Sequence, residues 1–156
     1  MGMKQTLDVI NRMEADGIVS RYAIAGAVAA YNYIEPTLTE DLDILISFDS
    51  DLDRPQSALI TLQPVFTYLK QHGYDQFRAE GILIEGWPVQ LLPVSDALDA
   101  EALAQSIETE IQFPDTDKSV RTRLLRAEHV VATAVRVGRP KDYIRIAQSS
   151  RAVQWI

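Results

Sequence analysis

The 156-residue chain contains no cysteine, two histidines and seven glycines. Without thiols it can form neither disulfides nor thiolate zinc sites, and it has no cysteine nucleophile. His72 and His129 have no second histidine or carboxylate at ligand spacing, so neither is read as a metal ligand. Asp49-Ser50-Asp51-Leu52-Asp53 is acidic, but it lacks the glycine and closing glutamate of a calcium loop. No apolar run approaches the ~20 residues of a membrane span. The first residues lack the basic-then-apolar order of a secretory signal, which makes a cytoplasmic protein without membrane contact the expectation. Met1-Gly2-Met3-Lys4-Gln5-Thr6 fits the short myristoylation pattern, whose few fixed positions carry no assignment.

The composition, 47% hydrophobic and 24% charged, predicts one soluble domain over residues 1–156. A chain of this size buries ~68–70% of its unfolded surface, enough for a core that needs no staple. The net charge of −7 conceals an asymmetry: residues 118–156 hold 9 of the 15 basic side chains and only 2 of the 22 acidic ones. A basic segment of this kind either pairs with the acidic body or offers a surface to phosphates such as those of RNA.

Hydrophobic spacing at Met3, Leu7, Ile10 and Met13 predicts an opening helix over 4–16, stopped by Gly17. Tyr22 to Ala25 reads as a short strand, broken by Gly26 ahead of an Ala-rich helix over 27–33. Leu42 to Phe48 is the clearest strand, and Leu59 to Leu69 the next helix. Strand character follows at 74–77, 81–85 and 88–93, with the turn between the last two expected at Gly86-Trp87. Asp96 is positioned to cap a helix ending near Gln105, and alternation from Ile107 to Phe113 predicts another strand. Helices over 127–137 and 140–149 complete the reading, separated by Gly138-Arg139-Pro140. Helices and strands mix without regular βαβ alternation, so the expected class is α+β, a mixed sheet flanked by helices.

Chemistry concentrates between Tyr22 and Phe48. Residues i and i+2 of a strand share a face, so Asp41 and Asp43 project together while Leu42 and Ile44 turn into the core. Neighbouring carboxylates repel unless a cation lies between them, and a hard, oxygen-seeking ion such as Mg²⁺ or Mn²⁺ suits the pair. A bare glycine at 26 lets phosphate approach the backbone, and the start of the next helix offers N–H groups to its charge. Together these elements assemble a phosphoryl-transfer site.

The motif Ile24-Ala25-Gly26-Ala27, followed by Thr39-Glu40-Asp41-Leu42-Asp43-Ile44, resembles that of the DNA polymerase β-like nucleotidyltransferase superfamily. With Gly138-Arg139-Pro140-Lys141-Asp142 downstream, it is similar to the AbiEii-type branch of small nucleotidyltransferases, which includes toxins of toxin–antitoxin systems. The resemblance implies the nucleotidyltransferase fold. It also implies catalytic and metal-binding roles for Asp41 and Asp43, with Mg²⁺ or Mn²⁺ as cofactor. Nucleotide contacts are implied at Gly26, Ala27, Thr39, Arg139 and Lys141, with Asp142 in support. Three positions depart from the family pattern. Ala27 has no hydroxyl. Gln90 stands where a third acid is expected, leaving Glu80 or Glu85 as substitutes. Thr133 or Ala134 occupies the place of an expected lysine. These departures open a second reading, in which the fold serves as a nucleotide-binding or protein-interaction module without catalysis.

Overall fold

The structure is a computed structural model that describes residues 3–26, 41–48, 62–78, 81–112 and 119–137. Among these residues it has four helices and one seven-stranded mixed sheet. In chain order the elements are α1 (Met3–Ala15), β1 (Arg21–Ala25), β2 (Leu42–Ser47), α2 (Gln63–Gln71), β3 (Phe77–Arg78), β4 (Gly81–Ile84), β5 (Trp87–Pro93), α3 (Ala97–Ala104), β6 (Ile107–Gln112), β7 (Ser119–Leu124) and α4 (Ala127–Val137). The sheet order is β3-β4-β5-β2-β1-β7-β6. β2 runs antiparallel to β1 and parallel to β5, and β1 runs parallel to β7. The expected α+β class is observed. No helix among the described residues is long and apolar enough to cross a membrane.

The core follows from the alternation of β2. Leu42, Ile44 and Ile46 are fully buried on one face, beside Ile24 of β1 and Leu91 of β5. The apolar stripe of α1, Leu7, Ile10 and Met13, is equally inaccessible, as its helical spacing predicts. Thr6 Oγ1 donates to the carbonyl of Ile84 at 2.8 Å, fixing α1 to β4. α2 joins the same side: Phe66 meets Phe77 edge to face, and the Tyr68 hydroxyl donates to Asp16. α3 packs against β1, β2 and α4, and Glu101 Oε2 lies 3.3 Å from His129 Nε2. Asp96 caps α3 as expected, accepting from the Asp99 N–H, while the Asp99 carboxylate accepts from Ser95 N–H and hydroxyl.

Three local expectations change. Residues 74–76 are not strand, and β3 is confined to Phe77 and Arg78. The β4–β5 turn falls at Glu85-Gly86, one residue earlier than expected, because both residues adopt left-handed backbone (φ 52° and 81°), as a type I′ turn requires. Glutamate has a Cβ and disfavours that conformation by ~1 kcal/mol; its carboxylate is held there by the Tyr74 hydroxyl. β7 was not anticipated at all, although Val120, Thr122 and Leu124 alternate with Arg121 and Arg123. The helices expected over 27–33 and 140–149 lie outside the described residues.

β1 and β7 meet only at one end, where Ile24 pairs with Leu124 and the Leu125 N–H donates to Ile24 O. Further down, side chains replace the ladder. Tyr22 N–H donates to Glu14 Oε1, Tyr22 O accepts from Arg123 Nη1, and Glu14 and Arg123 pair with each other. The Tyr22 hydroxyl lies beside Asn11 and Thr122, and a cavity of about 240 Å³ opens at this split.

Burial pushes the Tyr22 hydroxyl up to about 12 from an ordinary 10.0, and the hydrogen bond to Glu85 does the same for Tyr74. Both phenols hold their protons more tightly folded than unfolded. Their contribution to stability is therefore complete below pH 10 and is lost as pH rises through about 12. In a titration followed by phenolate absorbance, Tyr22 and Tyr74 should ionise late, together with unfolding, and Tyr68, raised by burial and by the hydrogen bond it donates to Asp16, should also ionise above an ordinary phenol. Tyr22→Phe and Tyr74→Phe should each remove one late step; titration of all six tyrosines as ordinary phenols would contradict this.

Candidate functional site

The site forms where β1 ends. Gly26 adopts φ 62°, and a Cβ built on it would collide with Asp43 Oδ2. Only glycine can both make this bend and leave room for the carboxylate. Asp43 lies in the middle of a register row, paired with Ala25 of β1 on one side and Gln90 of β5 on the other. Register partners project to the same face, so the Asp43 and Gln90 side chains stand together. Asp41 immediately precedes β2. It and Asp43 are part-exposed while Leu42 and Ile44 are buried, which is the alternation expected of two acids on one face.

Gln90 therefore occupies the place beside Asp43 where a third acid was expected. Of the two proposed substitutes, Glu85 does not fill that role. Glu85 lies at the turn, four residues along β4 from Gly81, or ~13 Å at strand rise, and it is committed to Tyr74. Glu80 lies outside the described residues, as do Ala27, Thr39, Arg139, Lys141 and Asp142. Thr133 is on α4, with its hydroxyl bonded to the His129 carbonyl at 2.9 Å.

The donor set decides what the site can hold. Two carboxylates at i and i+2, with a bare glycine facing one of them, fit one hard divalent cation accompanied by phosphate oxygens. A pair of cations ~3.5–4 Å apart needs more carboxylate than this. Among the described residues no group of three His, Asp or Glu side chains converges.

Sequence reasoning missed the outer part of this row. The β4–β5 pairing of Ile82 with Val89, continued by one step, sets Gly81 beside Gln90, and Arg78 of β3 pairs with Gly81. No periodicity in a two-residue strand could have revealed it; only the register does.

No protein-family model matches the chain, and no curated protein matches it. Among solved structures it is similar to an antigenic nucleotidyltransferase-like protein from Paracoccidioides brasiliensis, at 14% identity and a TM-score of 0.54 over 99% of this chain and 78% of that one. With the glycine bend, the acids opening β2 and the mixed sheet, this likeness gives the chain a nucleotidyltransferase-like fold.

Proposed function

We propose that this chain is a nucleotidyltransferase of the small AbiEii type, acting in the cytoplasm on a nucleoside triphosphate. The observation carrying the proposal is the Gly26 bend against the Asp43 carboxylate. Asp41 and Asp43 hold Mg²⁺ or Mn²⁺, which when bound supplies charge neutralisation to the phosphates. The backbone at Gly26 and Ala27 admits the phosphates, and Thr39 adds a hydroxyl contact. Arg139 and Lys141 neutralise the departing pyrophosphate, oriented by Asp142. The acceptor oxygen bonds to the α-phosphorus as the bond to the β-phosphate oxygen breaks, and the hydroxyl proton leaves to water. The acceptor belongs to RNA, a protein or a small alcohol; the basic segment over 118–156 favours RNA.

A second reading is favoured by Gln90, a neutral amide in register with Asp43. In it the site binds nucleotide without turnover and serves as a sensor or as a toxin–antitoxin-like protein partner. Calorimetric titration of each NTP with Mn²⁺ tests the shared part. Asp41→Ala and Asp43→Ala should each weaken binding at least about tenfold, the scale of one lost charge-assisted contact. Release of pyrophosphate by wild type supports transfer; tight binding without release supports the second reading. Failure of wild type to bind any NTP with Mn²⁺ refutes both.

A further inference from the structure

The row through Asp43 continues to the edge of the sheet. Ala25, Asp43 and Gln90 are direct partners, Gly81 follows Gln90 by continuation of the β4–β5 register, and Arg78 pairs with Gly81. All five face one side. Phe77, which alternates with Arg78, turns to the other side to meet Phe66.

Three features make Arg78 more than a surface charge. Gly81 places no side chain between Arg78 and Gln90, and a Cβ there would meet the Val89 carbonyl at 3.2 Å, a tight contact that glycine avoids. Arg78 is exposed, and among the described residues no acid forms an ion pair with it. Gln90 carries no charge; an acid at that position would engage the guanidinium, whereas the amide forms no ion pair with it. Two strand spacings, ~10 Å, separate the Arg78 and Gln90 backbones, a gap that an arginine lying across the glycine largely spans.

We propose that Arg78 is a phosphate-binding residue of the Asp43 site, extending over Gly81 to take a phosphate on the side of Asp43 opposite Gly26. The inference rests on the nucleotidyl reading above. A guanidinium matches phosphate oxygens bidentately, as lysine does not. The phosphate belongs either to the triphosphate tail or to the phosphodiester of an acceptor strand.

Binding of ATP with Mn²⁺ by calorimetry, and of a single-stranded oligoribonucleotide by fluorescence anisotropy, separates these sources. Both are measured on wild type, Arg78→Ala and Arg78→Lys, with unfolding midpoints showing that each variant is folded. Arg78→Ala should weaken one of the ligands about tenfold, and Arg78→Lys should recover part of the loss. A loss confined to ATP assigns the triphosphate tail, and a loss confined to the oligonucleotide assigns the acceptor. Unchanged affinity for both ligands in the folded variant overturns the role of Arg78 and leaves the nucleotidyl reading standing. If wild type binds neither ligand with Mn²⁺, the nucleotidyl reading falls, and the inference with it.

Discussion

Gly26→Ala is expected to weaken Mn²⁺-dependent nucleotide binding at least about tenfold, while costing the fold only ~1–2 kcal/mol. The two effects have separate causes. The stability cost comes from placing a Cβ on a backbone at φ 62°. The affinity loss comes from where that Cβ would sit, against Asp43 Oδ2, so the carboxylate must swing out of its position between Ala25 and Gln90. Calorimetry alongside denaturant unfolding measures both. Wild-type affinity in Gly26→Ala would show that the contact between bend and acid has no part in ligand binding. Gly17 and Gly73 provide the control, since both have positive φ and nothing within 4 Å of a built Cβ; alanine there should affect stability alone.

Removing Arg123 should produce the largest loss of stability among the polar substitutions, ~2–3 kcal/mol for Arg123→Ala. Breaking a fully buried pair typically costs ~3–5 kcal/mol, and the lower figure allows for side chains about one-fifth exposed, at 20% and 23%. Arg123 pairs with Glu14 and also donates to Tyr22 O, while Glu14 accepts from Tyr22 N–H. Either truncation strands a backbone group of β1 that β7 is too distant to satisfy. The double variant should therefore lose clearly less than the sum of the two single losses, and chemical denaturation of all three closes the cycle. Additive losses would mean that the two side chains act independently and that the seam is held by other contacts.

Much of this architecture was legible in the sequence because it rests on periodicity. α1, β2, α3 and α4 follow from spacing and from the Asp96 cap, and Gly26, Asp41, Asp43 and Gln90 fall where the strand pattern put them. β7 was missed because Thr122 interrupts its apolar face between Val120 and Leu124, and the intervening arginines read as solvent. Here Arg123 bonds to the backbone of a neighbouring strand. The Glu85-Gly86 turn was displaced because a glutamate in left-handed backbone has no sequence signal; a tyrosine eleven residues away holds it. Arg78 and Gly81 join the site only through pairings across three strands, information that local patterns do not contain.

The seam between β1 and β7 also bears on biosynthesis. Glu14 and Arg123 are 109 residues apart in sequence, and Asn11 and Arg121, joined by a hydrogen bond, are 110 apart. As the polypeptide leaves the ribosome, β1 and β2 can form a hairpin early, but the far side of β1 must wait for residues 119–124 to be translated. During that interval the Tyr22 carbonyl lacks its Arg123 donor, leaving an acceptor on the edge of β1 where another nascent chain could add a strand. Slowed translation of the stretch that encodes residues 119–124 should lengthen that exposure and raise the demand for chaperones.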